Sequence, residues 1–223
     1  MEEKKYLILD MGYVLVAPGA KTWMVTPLLL KNIDINKIDV NKAAKVVDEL
    51  GYILDGKVET LEEEKVVVLK YYTEVFKALE YDLPSEKIEE IADDFVYNVT
   101  DTKYRMYDDV PKELERLSKK YTLLMLSDNW PCGELYLKQH DIYKYFTKVY
   151  ISSVYGELKS DKVLFDHPIN DFGIKPGEAM FVDDKEPLLD IAVEKNLDVM
   201  QMDRGRKVKN SKYKIIHCLS DID

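Results

Sequence analysis

"EAMFVDDKEPLLDIAVEK", Glu178–Lys195, passes within a few residues from a strand to a helix. Ala179–Val182 is apolar throughout, Asp183 and Asp184 end the run, and Glu186–Lys195 reads as helical. A run that is continuously apolar, rather than alternating, is expected of a strand covered on both faces, as in a parallel sheet. Tyr6–Leu9, Thr122–Leu126 ("TLLML") and Val149–Ile151 have the same character, and Val199–Met202 is a fifth candidate. Helical stretches lie between them, at Pro111–Lys120 (Leu114 and Leu117 facing inward), Ser160–Phe172 and Glu186–Lys195. Strand and helix in alternation predict an α/β fold with a doubly wound, Rossmann-like parallel sheet.

Between the first strand and Pro111 the period changes. "TLEEEKVVVLKYYTEVFKAL" opens with a capping box, Thr60 with Glu63, and the spacing of Val66, Leu69, Tyr72, Phe76 and Leu79 predicts one buried stripe. Pro84-Ser85 starts another helix, with Ile88, Ile91 and Phe95 on one face, and Asn36–Leu50 reads as a third. The expectation is an all-helical insert over residues 17–103, carried by a core of residues 1–16 and 104–223. Trp23 and the aromatic residues of the insert read as core.

The bulk properties narrow the partners. Lys and Arg number 32 against 42 Asp and Glu, a net charge of −10, which repels phosphate backbones and acidic membranes. Neither nucleic acid nor a membrane is an expected partner, and no stretch approaches the ~20 apolar residues that span a bilayer. The two cysteines, Cys132 and Cys218, lack metal-ligand spacing, and the amino-terminal stretch is not a signal peptide. These features point to a reduced, cytoplasmic protein. The basic run Arg204–Lys214 reads as a solvated loop.

The strand ends carry the chemistry. Asp10, then Ser127-Asp128-Asn129, then Asp183-Asp184 close three of the core strands, and Lys159 follows a fourth. In an open parallel sheet the carboxyl ends share one crevice, so these residues converge. Carboxylates at that density repel one another unless a cation joins them, and all-oxygen ligands suit Mg²⁺. With a lysine and a serine alongside, the set suits a phosphoryl group. Each residue also has a plainer reading: a solvated strand end for Asp10, a turn or helix cap for 127–129, a surface lysine for Lys159, and loop caps for 183–184.

Taken in order, "LILDMG", "LLMLSDN", "GELKSD" and "MFVDDKEPLLDIA" resemble the four motifs of the haloacid dehalogenase superfamily, in the branch with a helical cap inserted after the first motif. The resemblance covers essentially the whole chain. It implies Asp10 as a nucleophile forming an aspartyl-phosphate, Ser127 with Asp128 and Asn129 about the phosphoryl group, and Lys159 stabilising its charge. It also implies Mg²⁺ held by Asp10, the carbonyl of Gly12 and Asp184, with Asp183 beside it. The substrate would be a small phosphorylated metabolite, chosen by the helical cap.

Gly12 departs from the pattern, because phosphatases of the family usually carry a second aspartate there as the acid and base. Its loss predicts slow turnover, since such assistance contributes ~10²–10⁴-fold. Tyr13 and Asp128 are nearby candidates for a partial substitute. A 2-haloacid dehalogenase and a non-catalytic binding relative are the rival readings.

Overall fold

The computed structural model describes residues 4–19, 24–99 and 103–223; Trp23 lies outside them. The chain opens with β1 (Tyr6–Leu9) and a short β2 (Val16–Pro18). Four helices follow, α1 (Pro27–Asn32), α2 (Val40–Leu50), α3 (Leu61–Leu79) and α4 (Ser85–Tyr97). Strand β3 (Tyr104–Met106) returns beside β2, pairing antiparallel with Val16 opposite Met106 and Pro18 opposite Tyr104. The two form the stem from which the helices rise.

Beyond the stem come α5 (Val110–Ser118), β4 (Thr122–Ser127), α6 (Pro131–Gln139), β5 (Lys148–Ile151), α7 (Ser152–Tyr155) and α8 (Asp166–Phe172). The chain closes with β6 (Ala179–Asp183), α9 (Glu186–Glu194), β7 (Asp198–Met202) and β8 (Ile215–Ile216). The large sheet has the order β5-β4-β1-β6-β7-β8, and every pairing in it is parallel. Leu7, Ile8 and Leu9 are fully buried at its centre, with alternate side chains entering two cores. Leu7 and Leu9 meet Leu114 and Tyr136 on one face, while Ile8 meets Phe165, Phe181 and Leu189 on the other. This two-sided burial is why the central strands are apolar throughout.

The helical insert has its own core, in which Val68, Tyr72 and Phe76 of α3 meet Ile91 and Phe95 of α4. The capping box forms as read: Glu63 N–H donates to Thr60 Oγ1 at 3.2 Å, and Thr60 N–H to Glu63 Oε2 at 3.3 Å. The phase of the stripe differs from the expected one. Val66 is 67% exposed, whereas Val68, Tyr71 and Val75 are buried. The apolar residues of α3 are too many to define one stripe, and packing on α2 and α4 selects which turn inward.

Two expected helices are shorter than their patterns. Asn36–Leu50 is broken at Asp39, whose carboxylate accepts from Asn41 and Lys42 N–H and starts α2 afresh. Ser160–Phe172 begins instead as two 3₁₀ turns, because Lys162 adopts φ +66°. Helix α8 then starts late enough to place Pro168 in its first turn, where a missing N–H does no harm. Arg204 corrects the reading of its basic run. Its guanidinium donates to Val14 O and Asp109 Oδ1, both at 2.7 Å, and its side chain is only 8% exposed. A planar fork can satisfy a carbonyl and a carboxylate together, so this arginine clamps the β1 loop to α5.

Candidate active site

The parallel register delivers the strand ends to one place. Asp10 N–H donates to Val182 O at 3.0 Å, which extends the β1–β6 pairing and leaves the Asp10 carboxyl beside Asp183. Ser127 ends β4 on the other side of β1. Asp10, Ser127 and Asp183 are 6%, 1% and 0% exposed, so the solvated-strand-end reading fails for Asp10.

Lys159 enters from the loop after α7. Its backbone N–H donates to Asp128 Oδ1 at 2.9 Å, which fixes that loop. Its ammonium, almost wholly buried, lies 2.6 Å from Asp183 Oδ2 and 3.0 Å from Asp10 Oδ1. Asp183 Oδ1 accepts the Lys185 N–H at 2.8 Å, so both oxygens of this aspartate are engaged. Asn129 links the site to the stem: its Oδ1 accepts from Tyr104 Oη at 3.2 Å and from Trp130 N–H at 2.8 Å.

Oxygens of Asp10, Asp183 and Asp184 all lie within 4.8 Å of one another. Burial raises the Asp10 carboxyl and Asp183 raises it further, against Lys159 and a hydrogen bond from Ser127. Burial, then Asp183 and Asp10, push Asp184 up to about 7. Burial alone would lower the Lys159 ammonium, yet Asp10, Asp183 and Asp128 together hold it above its ordinary value. Three carboxylates against one contacting ammonium leave two negative charges in excess when all are ionised. An oxygen-only cluster with that excess fits a divalent cation such as Mg²⁺.

Gly12 lies in the turn after β1, where Leu15 and Val16 N–H both return to Met11 O. The left-handed residue of this turn is Tyr13, at φ +54°, while Gly12 has no positive φ. Glycine at position 12 is therefore not required by the backbone dihedral, and the strain sits on its neighbour. Both residues line a cavity of about 250 Å³.

That cavity runs from the acidic cluster, past Ser127, Asp128 and Asn129, to a far end formed by Met24, Leu54, Phe95, Lys103, Trp130 and Cys132. Composition and motif reading missed this far end. Lys103 is 3% exposed; it donates to Phe95 O at 2.7 Å and to Cys132 Sγ at 3.0 Å. Glu64, 0% exposed in the first turn of α3, accepts the Cys132 N–H at 2.8 Å through Oε2. Cys132 is thus part of a buried polar group in the cavity wall.

The family model of the haloacid dehalogenase-like hydrolases matches residues 16–191, well over half of the chain. A search of curated proteins finds no match. Solved structures match over nearly their whole length. A 2-haloacid dehalogenase from Pseudomonas syringae pv. Tomato DC3000 is 16% identical, with 98% of this chain and 96% of that one covered and a TM-score of 0.67. A HAD family enzyme, bt-2542 from Bacteroides thetaiotaomicron, in complex with magnesium and inorganic phosphate, is 16% identical over 92% and 98%, with a TM-score of 0.56. A HAD phosphatase from Thermococcus onnurineus is 20% identical over 97% and 95%, with a TM-score of 0.58. At these identities the likeness to solved structures is one of fold. The match of the family model over residues 16–191 goes further, and on it the chain belongs to the haloacid dehalogenase-like hydrolases.

Proposed function

We propose that this hydrolase is a Mg²⁺-dependent phosphomonoesterase that acts on a small phosphorylated metabolite through an aspartyl-phosphate on Asp10. The observation that carries the reading is the cluster of Asp10, Asp183 and Asp184, the first two buried and paired with the Lys159 ammonium, at one cavity. Its doubly negative excess suits a divalent cation and, through it, a phosphoryl group, whereas a halide site needs no such cluster. The similarity in fold to a phosphatase and to an enzyme complexed with magnesium and phosphate adds support.

In this reading Asp10, the carbonyl of Gly12 and Asp184 hold the ion, which neutralises phosphoryl charge when bound. Asp183, with both oxygens engaged, orients Lys159 next to it. An Asp10 oxygen attacks phosphorus, the ester P–O bond breaks, and the leaving alkoxide takes its proton from water. Water then cleaves the aspartyl-phosphate and releases inorganic phosphate. Lys159 balances charge on Asp10 and the phosphoryl oxygens, and the Ser127 hydroxyl donates to one of them. The helical insert of residues 17–103 acts as a cap that shields the reaction from water. Gly12 leaves no carboxyl group to protonate the leaving oxygen, so turnover is slow.

Gly12 is also what a dehalogenase reading has in its favour. One panel separates the two: phosphomonoesters and 2-haloacids, with and without Mg²⁺, on wild type and Asp10→Asn. The expected result is Mg²⁺-dependent phosphate release that falls by about 10³-fold or more in the variant. Halide release without metal would replace the phosphomonoesterase reading with the dehalogenase one.

A further inference from the structure

Among the described residues, no anion contacts the cation at the far end of the cavity. Lys103 Nζ donates to Phe95 O and Cys132 Sγ and lies 3.4 Å from the Phe95 ring centroid. Two of its three N–H groups donate hydrogen bonds, and the Phe95 ring face is its other close contact. Among the described residues it forms no ion pair, although its charge acts on Glu64 from further away. Glu64 gives Oε2 to the Cys132 N–H, and its buried Oε1 has no hydrogen-bond partner. The other polar neighbours of Lys103 among the described residues, Cys132 and Tyr104, are neutral. Burial pushes the Cys132 thiol up to about 12, and burial holds the Tyr104 hydroxyl well above its ordinary value. A buried ammonium is costly without a contacting anion.

We infer that Lys103 receives a carboxylate carried by the leaving group, so that the substrate is the phosphate ester of a compact hydroxy acid. The inference rests on the phosphomonoesterase reading for the position of the phosphate and on Lys103 for the opposite end. One ammonium matches a single negative charge; a second phosphate brings up to two. Around Lys103 the lining is largely apolar, with Met24, Leu54, Phe95 and Trp130. Several sugar hydroxyls would be left unpaired against them, which disfavours a sugar phosphate. A volume of about 250 Å³ suits a short connecting chain. Lys103 is in this sense a specificity residue.

The test uses a series of ω-phosphonooxy carboxylic acids of increasing chain length, each paired with its primary amide. Binding to Asp10→Asn with Mg²⁺ is measured by calorimetry, and kcat/KM is measured on wild type. At one chain length the acid is expected to be preferred by about 10- to 100-fold, the range of a hydrogen bond to a charged group. Lys103→Met brings that preference to near unity, and Lys103→Arg retains most of it. Equal binding of acid and amide at every length overturns the inference, and this comparison needs no Lys103 variant to fold. Mg²⁺-dependent hydrolysis without acid preference removes the inference and leaves the phosphomonoesterase reading intact. Acid preference in binding without any phosphate release does the reverse.

Discussion

The two ends of the cavity solve the same problem in opposite ways. At the sheet end, Lys159 touches two aspartates at 2.6 and 3.0 Å, and the acids still outnumber it. At the insert end, Lys103 and Glu64 share Cys132 as a neighbour without meeting, so neither charge is neutralised by contact. The first end has anions in excess and a place for a cation. The second has a cation that no carboxylate among the described residues contacts. A substrate with one phosphate and one carboxylate is complementary to both, with the metal completing the first. The contrast also implies different stability costs, because removing a contacting partner strands its charge, whereas removing a distant one changes less.

The largest expected effect follows from that difference. Lys159→Met strands two buried carboxylates and is expected to lose about 3–5 kcal/mol in urea unfolding. Saturating Mg²⁺ should restore part of the loss, because the ion stabilises only the folded state. Lys103→Met, measured in the same way, should lose less. Equal losses, with no recovery by Mg²⁺ in the Lys159 variant, would break the contrast between a crowded anionic end and a loosely compensated cationic one.

The sheet end was legible in the sequence and the insert end was not, for physical reasons. Strands such as Leu7–Leu9 and Leu123–Leu126 are buried on both faces, so they are apolar without interruption. A charged residue that ends such a run is conspicuous, and parallel topology brings the ends together. At the insert end the same kind of residue is camouflaged. Glu64 follows Glu62 and Glu63 in what reads as an acidic first turn, yet it is fully buried while its neighbours are exposed. Lys103 lies in an unpatterned connection before β3, and only the β2–β3 stem and α6 place it in the cavity. Arg204 was hidden similarly, in a run whose other cations suggested solvent. Burial of a lone charge depends on tertiary partners, which local periodicity does not encode.

A smaller effect tests the sheet end alone. Gly12→Asp restores a carboxyl group one residue before the left-handed Tyr13, at a position whose own φ accepts a side chain. Phosphate release should rise by about 10²-fold, the lower end of what acid–base assistance contributes. The preference for acid over amide substrates should stay the same, because the far end is untouched. A variant that binds Mg²⁺ with an unchanged melting temperature but gains no turnover would show that the missing carboxyl is not what limits the rate.

The smallest effect sharpens the insert end. Burial raises the Glu64 carboxyl above its ordinary value near 4.5, and Lys103 opposes the shift without cancelling it. With the folded value raised, the unfolded chain releases the Glu64 proton first as pH rises, so wild type loses stability from about pH 4.5 upward. Glu64→Gln does not titrate. Its melting temperature minus that of wild type should therefore become more positive between pH 4 and pH 7, conditions chosen to bracket the ordinary carboxylate range of about 4. The opposite slope would mean that the glutamate charge is stabilised in place by Lys103, leaving the ammonium already neutralised. The two ends of the cavity would then be alike in having contact-compensated lysines, and the attraction of Lys103 for a substrate carboxylate would be weakened accordingly.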